Sequence, residues 1–293
     1  MPGGLTLEYE TFGAPGDPAL MLVSGPGTRL VAWPRPLCER LAAEGGFVIA
    51  FDNRDCGLSS EIDGSPQVLS SVVEAAMSGD FSLASELSPY TLSDMSDDAL
   101  ALLDSLGIRQ AHVVGASLGG VIAQTMAIEH PERLLSLASM MSSTGESDLG
   151  QSTLEALQVL LGPPARGRDE YIAAVEKTLV WRSRKYPDLQ GARQVTAESY
   201  DRCFHPEGIN RQLAAMIAGG SRAAALRGLR VQTLVIHGLD DTLITPSGGE
   251  RTAQLVPGAT LMLVHGMGHD RPGPLWPKLW AAIARNTWAT ASR

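Results

Sequence analysis

The sequence predicts an α/β fold, with a mostly parallel central sheet flanked by helices and a helical cap inserted into it. Three observations carry that expectation. Short apolar runs bounded by Gly, Pro and Asp alternate with helical stretches in the first half of the chain and again near its end. Between 144 and 225 the alternation stops, and only amphipathic helical stretches remain. One apolar run, His112-Val113-Val114, turns directly into a helix through Gly115-Ala116-Ser117-Leu118-Gly119. The chain therefore divides into a core, 1–143 and 226–293, and a cap, 144–225.

Taken in order, LTLEYETFG (5–13) has the alternation of a strand and ends at the turn cluster APGDP. PALMLV (18–23) reads as a buried strand that stops at Ser24-Gly25-Pro26-Gly27. FVIAF (47–51) is another, followed by a Gly/Ser-rich loop over 56–66 and a weakly patterned helical region to about 88. LSDMSDDALALLDSLGI (92–108) reads as a helix capped by Ser93 or Asp94 and ended by Gly107. The run at 111–130 gives strand, sharp turn and helix, with Pro131 as its stop, and 134–143 gives a further strand. After the helical block come a strand at 231–238, a helix near 247–255, a strand at 260–266 and a last helix, LWPKLWAAIARNTW.

Composition narrows the function. With 44% hydrophobic and 19% charged residues in a chain of 293, an ordinary globular core is expected. A net charge of -9 repels phosphate backbones, which speaks against nucleic acid as a partner. Cys38, Cys56 and Cys203 are widely spaced and odd in number, so neither a disulfide framework nor a zinc site is indicated. The N-terminal segment lacks the basic and apolar regions of a signal peptide, and no apolar run approaches the ~18 residues that span a bilayer. The default reading is a soluble cytoplasmic protein with no membrane partner.

The pentapeptide at 115–119 is a G-x-S-x-G, a weak signal alone and a strong one between strand and helix. There the turn holds the serine in a strained conformation, and the N–H of Leu118 at the helix start points where an oxyanion would form. A serine hydroxyl needs a base. Of six histidines, His112 precedes the elbow strand and His130 ends a helix, both structural positions. His205 lies in the insertion, His237 ends a strand where it can support its neighbours, and His265 sits within or at the edge of one. His269, in the Gly-rich loop HGMGHD after the last strand, is placed to reach Ser117. The acid that orients it comes from HGLDDTLITP: Asp241, with Asp240 as its solvated neighbour. For each residue the plain alternative is capping or packing.

Together FDNRDCGLSS (51–60), GASLGG (115–120), HGLDDTLITP (237–246) and GMGHD (266–270) make the chain resemble the α/β-hydrolase superfamily over nearly its whole length. The closest look is to the aclacinomycin methylesterase branch, through VSGPGTRLVAWP, YDRCFHPEGINRQLAAMIAGG and the Gly-Met-Gly-His ending. The resemblance implies the α/β-hydrolase fold, Asp241 as triad acid, FDNRDCGLSS as a structural turn, and cleavage of an ester or methyl ester without metal or organic cofactor. It implies a small, apolar ester as the substrate. Relatives place an oxyanion donor in the loop after the early strand. In one register that donor falls on Pro26, which has no N–H; in the register of proline iminopeptidases it is Gly25, the preferred reading, with Gly27 or the Ser24 hydroxyl as substitutes. Met140, Met141 and Trp181 are expected to line the pocket, or equally to pack in the core. Four other functions remain open: a cofactor-free haloperoxidase or perhydrolase, a C–C bond hydrolase, an aminopeptidase of the proline-iminopeptidase kind, and a non-catalytic ligand-binding protein.

Overall fold

Among the described residues, seven short runs become strands: β1 (Tyr9–Phe12), β2 (Ala19–Val23), β3 (Phe47–Phe51), β4 (Ala111–Ala116), β5 (Leu134–Met140), β6 (Gln232–Gly238) and β7 (Thr260–Val264). The computed structural model describes residues 4–63, 68–163 and 165–288; the first three residues and the end of the loop expected at 56–66 lie outside them. The helices in the first half are α1 (Arg35–Ala43), α2 (Val68–Met77), α3 (Phe81–Leu87), α4 (Leu92–Ser105) and α5 (Leu118–Glu129). Between β5 and β6 stand α6 (Leu154–Leu160), α7 (Arg168–Ala174), α8 (Leu189–Arg202), α9 (Gly208–Ala218) and α10 (Ala223–Leu226). The C-terminal part adds α11 (Ser247–Leu255) and α12 (Trp276–Trp288).

The strands form one sheet in the order β1-β3-β2-β4-β5-β6-β7. Only β1 is antiparallel, pairing Tyr9 with Phe51; every other pair is parallel. Every residue of β2, β3 and β4 is buried, as parallel strands covered on both faces must be. Alternate residues feed opposite cores. Leu20, Leu22, Val48, Ala50, Val114 and Ala116 pack with residues of α1 and α12. Met21, Val23, Ile49, Phe51 and Val113 pack with α4 and α5. A large aliphatic side chain buried this way contributes about 1.5–3 kcal/mol. Because parallel strands end together, the loops after β2, β4, β6 and β7 meet at one edge.

Four details differ from the sequence reading. The cap of α4 is Thr91, not Ser93 or Asp94: its hydroxyl accepts the Asp94 N–H while the Asp94 carboxylate accepts from the Thr91 N–H, a reciprocal box that starts the helix earlier. His112 lies inside β4 rather than before it. The strand at 134–143 ends at Met140, because Met141 adopts φ 47° and turns the chain while its N–H bonds Ile236. The helical block does not stand apart, since Ala214 and Ala218 of α9 share a small core with Val68, Val72 and Ala75 of α2 and Ala84 of α3. Those two helices looked poorly patterned because their buried faces meet another helix, not the sheet. No helix among the described residues is long and apolar enough to cross a membrane.

Candidate active site

Ser117 joins β4 to α5 with φ 58° and ψ −122°, a conformation that non-glycine residues rarely adopt. Neighbours hold it there. Its N–H bonds the Met140 carbonyl at 2.9 Å, and its own carbonyl accepts the N–H of Gly120 at 2.9 Å. The flanking glycines are needed for space, because a Cβ on Gly119 would overlap the Val23 carbonyl and one on Gly115 would overlap Gly119. The turn thus delivers the serine to the carboxyl edge of the sheet at the first turn of a 12-residue helix. Leu118, the first residue of that helix, has an N–H with no partner in its own helix.

The loop after β2 meets this turn. A Cβ on Gly25 would lie 3.2 Å from the Ser117 Cβ and 3.6 Å from its Oγ, so the backbone passes close beside the hydroxyl. Pro26 has no N–H to give. The Gly27 N–H is already used: it donates to Oε1 of Gln212 at 2.7 Å, while the Gln212 amide donates to the Arg54 carbonyl at 2.7 Å. Gln212 is wholly buried in α9. Gly27 is therefore removed as a substitute donor, which leaves the Gly25 N–H and the Ser24 hydroxyl, buried and unbonded. The Gly25 and Leu118 N–H groups donate to no described residue.

Asp241 follows β6 and His269 follows β7. His269 Nδ1 lies 2.7 Å from Asp241 Oδ2, and the other carboxylate oxygen accepts the N–H groups of Leu243 and Ile244, each at 2.9 Å. Burial pushes the Asp241 carboxyl upward, but the charges and hydrogen bonds of His269 and His237 outweigh it and hold the group down at about 2. Asp241 is therefore an anion at neutral pH, and Asp240 beside it is exposed. The His269 backbone is fixed by the insertion, its N–H bonding the Trp181 carbonyl at 2.6 Å, with Ser183 bonded to Gly266 and Asp270 nearby. Ser117 follows β4, two strands and about 10 Å from β6 in the sheet order. The structure forms the Asp–His bond. The Ser117 hydroxyl and His269 Nε2 make no hydrogen bond with any described residue.

Met140 and Met141 are fully buried in the cluster that includes Leu22 and Ala116, and Trp181 is half-buried beside His269. His130 caps α5 near Asp97, and His265 is exposed. His205 lies in an ion cluster with Glu61 and Arg211, remote in role from proton transfer. Sequence reasoning missed Gln212 altogether, because a partner 185 residues from Gly27 leaves no local signal. It noted His237 only as a supporting residue, and the structure places it against Asp241. Among the described residues, no group of three or more His, Cys, Asp or Glu is arranged to hold a metal ion.

Residues 18–270 match the family model for the alpha/beta hydrolase fold. The chain is 31% identical to the rhodomycin D methylesterase DauP of Streptomyces sp. (strain C5), with 97% of this chain and 96% of that protein covered. It is 30% identical to the rhodomycin D methylesterase DnrP of Streptomyces peucetius over the same shares. Among solved structures, the enol-lactonase from Burkholderia xenovorans LB400 superposes with a TM-score of 0.71 at 21% identity, covering 97% of each chain, which is a likeness of fold.

Proposed function

This chain belongs to the α/β-hydrolase family, and we propose that it is a serine hydrolase that cleaves a carboxylic ester, a methyl ester of a small apolar acid, through an acyl-enzyme. The observation that carries this reading is the 2.7 Å bond between His269 and a buried, ionised Asp241 at the sheet edge where the elbow presents Ser117. Similarity to two rhodomycin D methylesterases supports a methyl ester as the bond broken.

In the proposed reaction, rotation of the Ser117 side chain brings Oγ to His269 Nε2, which takes its proton as Oγ attacks the ester carbonyl. The N–H groups of Leu118 and Gly25 hold the oxyanion. Collapse expels the alcohol, which takes the proton from His269, and leaves the acyl group on Ser117. Water, activated by the same imidazole, then releases the acid. Asp241 fixes the tautomer that leaves Nε2 free to accept and stabilises the imidazolium. In this reading half-buried Trp181 lines the substrate pocket, whereas Met140 and Met141 pack in the buried core with Leu22 and Ala116. Helices α6 to α10 form the roof.

A fluorophosphonate probe should label the wild type at Ser117 and leave Ser117→Ala unlabelled, with loss of p-nitrophenyl ester hydrolysis in parallel. A wild type that stays unlabelled would favour a ligand-binding protein, the reading that the loss of Pro26 and Gly27 as donors supports.

A further inference from the structure

His237 is the last residue but one of β6 and is wholly buried. Its Nε2 lies 2.8 Å from the Ile244 carbonyl oxygen and 3.4 Å from Asp241 Oδ2. A carbonyl can only accept, so Nε2 carries a hydrogen and donates it. Nδ1 is buried without a partner and faces α11, where a Cβ on Gly249 would overlap it. Gly249 thus lets the helix close on the ring and leaves the imidazole one orientation. Asp241 sits between two imidazoles: His269 on the side of the serine, His237 on the side of the core.

We propose that His237 is a positioning residue for the hydrolytic reaction: its Nε2–H, shared between the Ile244 carbonyl and Asp241 Oδ2, fixes the carboxylate so that Oδ2 stays on His269 Nδ1. This rests on Ser117 and His269 acting as the preceding subsection describes. The two backbone N–H groups on Oδ1 fix one end of the carboxylate and leave rotation about that end; a donor on Oδ2 removes it. Because the ring also bonds Ile244, whose N–H is one of the Oδ1 donors, one side chain ties both ends of the acid into the same turn.

The test compares His237→Gln, whose amide nitrogen reaches the Nε2 position, with His237→Asn, whose amide stops at the Nδ1 position, and with His237→Leu, which has no donor. Steady-state hydrolysis of p-nitrophenyl acetate by the full chain is the readout, with thermal unfolding alongside. His237→Leu and His237→Asn should lower kcat on the order of 10–100-fold with KM unchanged, the scale of a sub-ångström misplacement, while His237→Gln stays within about 3-fold of wild type. If His237→Leu does not fold, the Gln and Asn pair decides. Equal kcat in the folded Gln and Asn variants, or a folded Leu variant with wild-type kcat, overturns the proposal. Turnover that survives Ser117→Ala overturns the hydrolase reading and this placement with it; turnover that needs Ser117 but is indifferent to His237 overturns the placement alone.

Discussion

Two loops at the carboxyl edge of the sheet each bury aspartate, and they differ in what stands opposite. After β3, Asp52 meets Arg202, and Asp55 meets Arg211 through two bonds of 2.9 Å, both arginines reaching down from the inserted helices. After β6, Asp241 meets two imidazoles. A guanidinium is charged at every accessible pH and presents a rigid fork, so the first loop is a permanent clasp that ties the insertion to the core. An imidazole exchanges its proton near neutrality, so the second loop can take part in a proton cycle. Carboxylates at equal depth thus acquire different duties from their partners.

Substitutions should separate the two roles. The largest effect belongs to Asp241→Asn, which should cut kcat by about 10⁴-fold while circular dichroism stays native, because the wrong tautomer of His269 is then favoured. Arg211→Met should do the reverse: kcat within tenfold of wild type, but an unfolding free energy in urea lower by about 3–5 kcal/mol, since Asp55 is left charged and unpaired. An Arg211→Met protein that is stable but inactive would break the contrast. His112 sharpens it as a buried imidazole with no carboxylate, bonded to Ser136 at 2.8 Å. Burial lowers it to about 4, so the fold keeps it neutral while the unfolded chain gains a proton below the ordinary 6.5. Between pH 7 and 4 the wild type should lose about 3 kcal/mol more than His112→Asn, and no more below pH 4. Smallest is the acid limb of Asp241. Its carboxyl is depressed from 3.8 to about 2, so the stability it gives is present above pH 3.8 and is lost as pH falls toward 2. The gap in unfolding free energy between wild type and Asp241→Asn should close by on the order of 2 kcal/mol across that window.

Much of this was legible in the sequence, for physical reasons that name its limits. Strands buried on both faces read as apolar runs, and a strand-to-helix turn this tight needs glycines at fixed spacing, so β2 to β4 and the turn at Ser117 stand out locally. His269 and Asp241 were expected from chain position relative to strands, and the parallel topology brings the loops after β6 and β7 to one edge, where the two side chains bond. Non-local contacts escaped. Gln212 on Gly27, Arg211 on Asp55 and α9 on α2 join residues far apart in sequence, and no periodicity announces such a pair. The Thr91 cap was missed by two or three residues because Ser93 and Asp94 are equally good capping types until the reciprocal bond of Asp94 is seen.

The amide of Gln212 has a consequence of its own. It grips the strand-edge loop with one atom and the Arg54 turn with the other, from a helix of the block between β5 and β6. Because both bonds leave a single side chain, any displacement of α9 is transmitted at once to the loop beside Ser117 and to the turn after β3.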